Sequence, residues 1–232
     1  MLHSKGGIVH TFGRSRFAGN AQSQFWIRDD AILDMACGDE HSAVITANGR
    51  LLTFGSNEWG QLGHGNCETN LKPTTVKALK HEKSVGIACG RAHTLVATDS
   101  GKVFAFGSNT DGQLGISETS TTQNPTVIID LPEVQYKLLS AGVEHSAALT
   151  ETGKLYIWGS SRVGQLGLGE GVSEALKPVE LKFSSPVTDV SCGYYQTAVV
   201  TGWYEIKMLS ILSANSMLIR NLNEMLYGIN KD

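Results

Sequence analysis

The sequence predicts an all-β fold, a partial β-propeller of about three to four blades with four short antiparallel strands in each. The first observation behind this is a strict period. Gly-Gln-Leu-Gly occurs three times, at Gly60–Gly63, Gly112–Gly115 and Gly164–Gly167, with a spacing of 52 residues. The second is what fills the period: short runs of small, β-branched and aromatic residues separated by Gly-bearing turns, with no helical stripe over any stretch of about 12 residues. Self-similarity near 50 residues belongs to propellers and solenoids. About four strands per unit is the content of one propeller blade.

Taken in order, the elements begin with a degenerate strand at 8–13, which aligns with the second strand of the later hairpins. The first full unit, near 36–87, opens after the apolar run Ile32-Leu33-Asp34-Met35-Ala36. Cys37-Gly38-Asp39-Glu40-His41 then leads into Ser42-Ala43-Val44-Ile45-Thr46, and Asn48-Gly49 turns the chain into Leu51-Leu52-Thr53-Phe54. Asn-Gly is a strong hairpin signal, and a primed turn would give both residues positive φ. Ser100-Gly101 and Thr152-Gly153 hold the same place in the units near 88–139 and 140–190. Short apolar runs such as Val127-Ile128-Ile129 follow Pro73, Pro125 and Pro178. Proline cannot donate to a ladder, so each is expected at the start of an outer, edge strand. A partial unit at 191–201 carries Cys192-Gly193-Tyr194-Tyr195-Gln196.

The recurring glycines read as turn residues needing positive φ or close backbone approach. A phosphate-cradling loop would need a helix after it, and none follows, so no cofactor site is expected. His41, His93 and His145 sit at one register position, one step before a strand. They would be spread around an axis, each tying a loop to the neighbouring unit through one donating and one accepting nitrogen. Zinc wants four convergent ligands at short local spacing, so neither a metal site nor a catalytic residue is assigned. Cys37, Cys89 and Cys192 share a position that the third unit fills with Ala141, which marks a small buried slot rather than disulfide partners.

The chain has 232 residues, 41% of them hydrophobic, and a net charge of −3. That suits one domain with a core and gives no reason to expect nucleic acid or an acidic membrane as partner. Its N-terminus lacks an apolar signal core, and no segment approaches the roughly 20 apolar residues of a membrane span.

The unit Cys-Gly-x-x-His, hairpin, Phe-Gly, Asn-x-x-Gly-Gln-Leu-Gly resembles the repeat of the regulator of chromosome condensation family. WD40 and kelch repeats fit less well, since no Trp-Asp closes a strand. Within the family the likeness is greatest to the retinitis pigmentosa GTPase regulator branch. Thr11-Phe12-Gly13, Phe25-Trp26, Cys37–Val44, Val76-Lys77-Ala78-Leu79-Lys80, Cys89-Gly90-Arg91 and Ser191-Cys192-Gly193-Tyr194-Tyr195 carry that likeness. The resemblance covers about 8–201 and implies a seven-bladed ring, of which this chain supplies only an arc.

An open arc leaves two blade faces wet. At ~25 cal/mol per Å², a few hundred Å² at each end would forgo roughly 5 to 10 kcal/mol, so marginal stability is expected. Segment 202–232 matches nothing in the unit. Met208, Ile211, Leu212, Leu218, Ile219, Leu222, Met225, Leu226 and Ile229 recur at helical spacing, which predicts a helix from about Glu205 to Leu226. The abrupt change suggests an alternative or truncated transcript product.

Two functional readings follow. The first is a non-catalytic interaction scaffold whose contacts fall where the units differ, with Trp59, Arg162 and Tyr195 as candidate contact residues. The resemblance implies partners such as the retinitis pigmentosa GTPase regulator-interacting protein, the prenyl-binding delta subunit and small GTPases. It implies a cytoplasmic place at the primary or photoreceptor connecting cilium and basal body. The second reading is guanine-nucleotide exchange on a small GTPase, which calls for an inserted wedge. The only insertion-like span lies between Gly13 and Cys37. A non-functional truncated product is a third possibility.

Overall fold

In the computed structural model, residues 6–12 and 23–202 are described, together with the backbone of one strand at Glu205–Leu209. Strands β1 (Gly7–Thr11) and β2 (Ser23–Ile27) form a two-stranded sheet. Strands β3 (Ile32–Cys37), β4 (His41–Thr46), β5 (Leu51–Gly55) and β6 (Asn70–Thr75) form the first four-stranded antiparallel meander. The second is β7 (Ser84–Cys89), β8 (His93–Thr98), β9 (Val103–Gly107) and β10 (Thr122–Val127); the third is β11 (Tyr136–Ala141), β12 (His145–Thr150), β13 (Leu155–Ser160) and β14 (Glu174–Leu181). Strands β15 (Val187–Cys192), β16 (Thr197–Thr201) and β17 (Glu205–Leu209) close the series as a three-stranded sheet.

The core lies between sheets rather than within any one of them. Ala43, Ile45 and Leu51 of the first complete blade meet Ile87, Val96, Phe104 and Phe106 of the second. Leu95, Val103 and Leu114 of the second blade meet Leu139, Ala148 and Trp158 of the third. The two middle strands of a blade are therefore covered on both faces, and β8 and β12 are buried along their whole length. That explains why these strands read as continuous small or apolar runs rather than as alternating ones. The two-stranded sheet contributes Val9 and Ile27 to a further layer with Val44, Leu52 and Phe54. It meets the inner strand β3 at Ile32, at the start of that strand, while Leu33 and Met35 farther along are exposed.

Several expected details are corrected. The β4–β5 turn is not of the primed type. Gly49 N–H donates to the Thr46 carbonyl and Thr46 N–H to the Arg50 carbonyl, while only Gly49 has positive φ. This is a type I turn closed by a left-handed glycine, the common three-residue alternative, and it recurs at Gly101 and Gly153. Pro73, Pro125 and Pro178 do lie on outermost strands, but inside them rather than at their starts. In each case three residues of the edge strand oppose one aromatic residue of its neighbour, as 71–73 oppose Phe54 between the pairs Thr53–Thr74 and Gly55–Asn70. A bulge on an edge strand accommodates the missing N–H.

The predicted helix from Glu205 is wrong at its start. Gly202 turns the chain with φ +59°, and β17 pairs antiparallel with β16 from Thr201–Glu205 to Thr197–Leu209. The third-strand position of the blade offers β16 a ladder for its unpaired backbone groups, which outweighs a weak helical stripe. The rest of that prediction, from 210 onward, lies outside the described residues. Of the insertion-like span between Gly13 and Cys37, residues 13–22 also lie outside them, and the described remainder is taken up by β2 and β3. Among the described residues no helix is long and apolar enough to cross a membrane.

Candidate functional site

His41, His93 and His145 are each the first residue of a second strand, not one step before it. His41 Nε2 lies 2.9 Å from Thr94 Oγ1, and that hydroxyl donates to the Gln61 carbonyl at 2.7 Å. The Thr94 hydrogen is thus already committed, so the hydroxyl accepts from His41 and the imidazole carries its proton on Nε2. The same relay runs from His93 through Ser146 to Gln113, and from His145 through Thr197 to Gln165. In each, one blade's His and the Gln of its Gly-Gln-Leu-Gly grip a single hydroxyl of the following blade. The residue after the His is Ser or Thr in the first three copies, and Thr197 follows Gln196 in the fourth; that was the signal in the sequence for these partners.

The second nitrogen does not accept as predicted. Nδ1 of all three histidines has no hydrogen-bond partner among the described residues. It faces the glycine of its own loop: a Cβ on Gly38 would fall 2.8 Å from His41 Nδ1 and 2.2 Å from the Gly90 carbonyl of the next blade. Burial lowers the pKa of His41 and His145 to about 4 and that of His93 to about 3. Neutral, buried and separately engaged, the three imidazoles are inter-blade ties. Among the described residues no group of His, Cys, Asp and Glu is arranged to hold a metal ion.

Each Gly-Gln-Leu-Gly is a tight loop pressed on its neighbour. The Gln61 side-chain oxygen accepts from Trp59 N–H, Asn57 accepts from Leu62 N–H, and Leu62 is fully buried. Gly60, Gly63, Gly112, Gly115, Gly164 and Gly167 all have positive φ. At Gly63 a Cβ would come within 2.8 Å of the Phe106 ring of the next blade, and at Gly115 within 2.8 Å of Trp158 Nε1. Trp158 Nε1 also donates to the Gln113 carbonyl.

The cysteine slot is less uniform than the repeat implied. Cys89 is buried and Cys192 half-buried, but Cys37, at the end of the inner strand away from Ile32, is exposed, as is Cys67. All four are free. Burial raises the Cys89 thiol to about 12 and Cys192 to about 11.

Topology puts Trp59, Arg162 and Tyr195 on one face. The ends where first strands pass to second strands, and third to fourth, all lie at the same end of every sheet. Loops 38–40 and 56–69 therefore share a face with their counterparts in the other blades. Trp59 and Tyr195 are exposed there. Arg162 is exposed too, but its guanidinium is 2.6 Å from Asp111 of the preceding blade. Tyr194 and Tyr195 form an edge-on pair with ring centroids 4.4 Å apart.

The family model described as RCC1-like domain matches residues 2–199. The chain is 50% identical over 183 residues to the human X-linked retinitis pigmentosa GTPase regulator, covering 78% of this chain and 18% of that one. It is 35% identical over 172 residues to the Arabidopsis thaliana ultraviolet-B receptor UVR8, covering 73% of this chain and 39% of the receptor. The chain thus spans less than half of these relatives. Among solved structures, human WBSCR16 superposes with a TM-score of 0.70 at 27% identity over 78% of this chain and 48% of its own. Prp20p of Saccharomyces cerevisiae superposes with a TM-score of 0.72 at 22% identity, over 82% and 48%. With its blade meander, its repeated His–hydroxyl–Gln ties and this match over most of its length, the chain belongs to the RCC1-like domain family.

Proposed function

We propose that this chain is a non-catalytic protein-interaction scaffold in the regulation of small GTPases. The observation that carries this is where the blades differ. Core and relay positions repeat from blade to blade, whereas the loops of the face that bears Trp59 vary: Asn57-Glu58-Trp59 stands against Asn109-Thr110-Asp111 and Ser161-Arg162-Val163, and Asp39-Glu40 against Arg91-Ala92, Val143-Glu144 and Tyr194-Tyr195. A rigid frame presenting variable exposed loops is how scaffolds gain partners. The contacts we assign are Trp59, Arg162 and Tyr195. Half identity to a named GTPase regulator supports the small-GTPase link. The same resemblance makes the retinitis pigmentosa GTPase regulator-interacting protein and the prenyl-binding delta subunit the first partners to try, and the cilium the first place to look for the tagged chain.

The test is a pull-down with these purified partners and a panel of small GTPases, comparing the chain with its Trp59→Ala and Arg162→Ala variants. Capture that the variants weaken supports the reading. Guanine-nucleotide exchange is the second reading, favoured by the same named relative. Nucleotide release from a small GTPase at substoichiometric chain would establish it and defeat the scaffold reading.

A further inference from the structure

We infer that the varying face binds a Lys/Arg-rich segment of a protein partner, with one cationic side chain seated at the propeller axis against Tyr194 and Tyr195. The inference rests on the scaffold reading and names the chemistry of its partner.

A depression of about 220 Å³ opens at the axis on this face. It is built by one segment repeated in four successive sheets: 37–39, 89–91, 141–143 and 192–194. Segments 37–39 and 141–143 supply small or short side chains around their glycines, and 89–91 adds Cys89 and the long side chain of Arg91, which pairs with Asp39. The fourth raises Tyr194 beside Tyr195, both more than half exposed, as an aromatic wall. The Tyr195 hydroxyl ionises above its ordinary value, chiefly because the Tyr194 hydroxyl lies beside it, and the Glu144 carboxylate acts in the same direction while Arg91 opposes both. Glu144 stands on the adjacent blade, in the loop just after Val143, which lines the depression. An exposed aromatic pair on an acidic face is the arrangement that takes an ammonium or guanidinium group, through the ring face and the surrounding carboxylates together.

The charge of the described loops of this face selects the same partner. Among the described residues these loops, at 38–40, 56–69, 90–92, 108–121, 142–144, 161–173 and 193–196, carry eight Asp or Glu against two Arg. Both arginines already face carboxylates, Arg162 with Asp111 and Arg91 with Asp39 at 3.9 Å. The opposite face, at 28–31, 47–50, 76–83, 99–102, 128–135, 151–154 and 182–186, carries eight Lys or Arg against seven Asp or Glu. Among the described loops, one face is therefore acidic and the other nearly neutral. Field lines from the acidic face speed the approach of a cationic segment and repel phosphate-bearing surfaces.

The experiment is fluorescence anisotropy of the 232-residue chain with a short labelled peptide alternating Arg and Gly, against its Glu-Gly counterpart. Binding of the Arg peptide alone is expected, weakening as salt rises. The Tyr194→Ala, Tyr195→Ala double variant weakens it by about tenfold, and Glu144→Gln by several-fold. Glu133→Gln with Glu151→Gln, exposed carboxylates on the opposite face, changes it by less than about twofold. Matching thermal unfolding shows that every variant is folded. Equal loss from variants on the two faces, equal binding of the Glu peptide, or no binding of the Arg peptide overturns the proposal. Run beside the pull-down, the outcomes separate: a partner captured equally by chain and tyrosine variants overturns this assignment and leaves the scaffold reading intact.

Discussion

His41 of the first complete blade donates its Nε2 hydrogen to Thr94 of the second across 2.9 Å, and Thr94 donates in turn to the Gln61 carbonyl of the first blade at 2.7 Å. A single hydroxyl thus joins two blades through two groups that lie 20 residues apart in one of them. The arrangement recurs twice more around the arc.

Removing that hydroxyl while keeping the side-chain shape leaves a buried N–H and a buried carbonyl unpaired. Thr94→Val is therefore expected to cost about 2–4 kcal/mol. Thr94→Ser should cost less than about 1 kcal/mol, since Ser146 does the same work in the next blade. Urea unfolding of both variants checks the order, which a Val variant as stable as the Ser variant would contradict.

Acid should loosen the arc through these same histidines. Unfolded, each protonates near 6.5; folded, burial lowers His41 and His145 to about 4 and His93 to about 3. With the folded value below the unfolded one, the contribution is fully present above pH 6.5 and is lost as pH falls toward 4. Between those limits each histidine steepens the loss by about 1.4 kcal/mol per pH unit. His93→Gln should remove one histidine's share of that slope, as measured by denaturant midpoints from pH 7.5 to 5.

Gly63→Ala combines a left-handed backbone with a Cβ 2.8 Å from the Phe106 ring, and an expected loss of about 2–4 kcal/mol follows. Gly171→Ala, also at positive φ but with nothing within 4 Å, should lose only about 1 kcal/mol. Thermal unfolding of the pair separates inter-blade crowding from backbone strain. Equal losses would show that the contact contributes nothing.

Thiol titration at pH 8 should divide the cysteines. Cys37 and Cys67 are exposed and should react at once with an aromatic disulfide reagent. Cys89, buried and raised to about 12, should wait for unfolding, with Cys192, raised to about 11, also slow. Four fast thiols in the native chain would mean that the second blade is not packed as described.

Much of the fold was legible because the repeat writes each requirement several times over. Three copies of Gly-Gln-Leu-Gly and of the hairpin glycine mark the turns, and the apolar runs between them mark the strands. Details of the repeated features, such as the turn type and the place of the prolines, still needed correction, and features that occur once were harder to read. A stripe of Met, Ile and Leu after Thr201 looked helical, yet its first residues pair with β16 as β17, since a ladder partner supplied by the fold is invisible to local periodicity. The exposure of Cys37 was equally hidden, because burial at that position depends on what lies across from β3. Comparing blades singles out Trp59, Arg162 and Tyr195 as candidate contacts, but it does not reveal the Arg162–Asp111 ion pair, since its two members lie in different copies of the unit.

By itself the sequence determined the blade: its length, its strands, its turn glycines and the register of its histidines. All of these are set by interactions within about one period, which hydrophobic pattern and turn chemistry encode locally. Only the tertiary structure decided what joins one blade to the next. The hydroxyl that each His meets, the ring that each glycine admits and the single acidic face that the loops share all depend on residues roughly a full period apart. Stacking of rigid sheets brings these together, and no local preference specifies it.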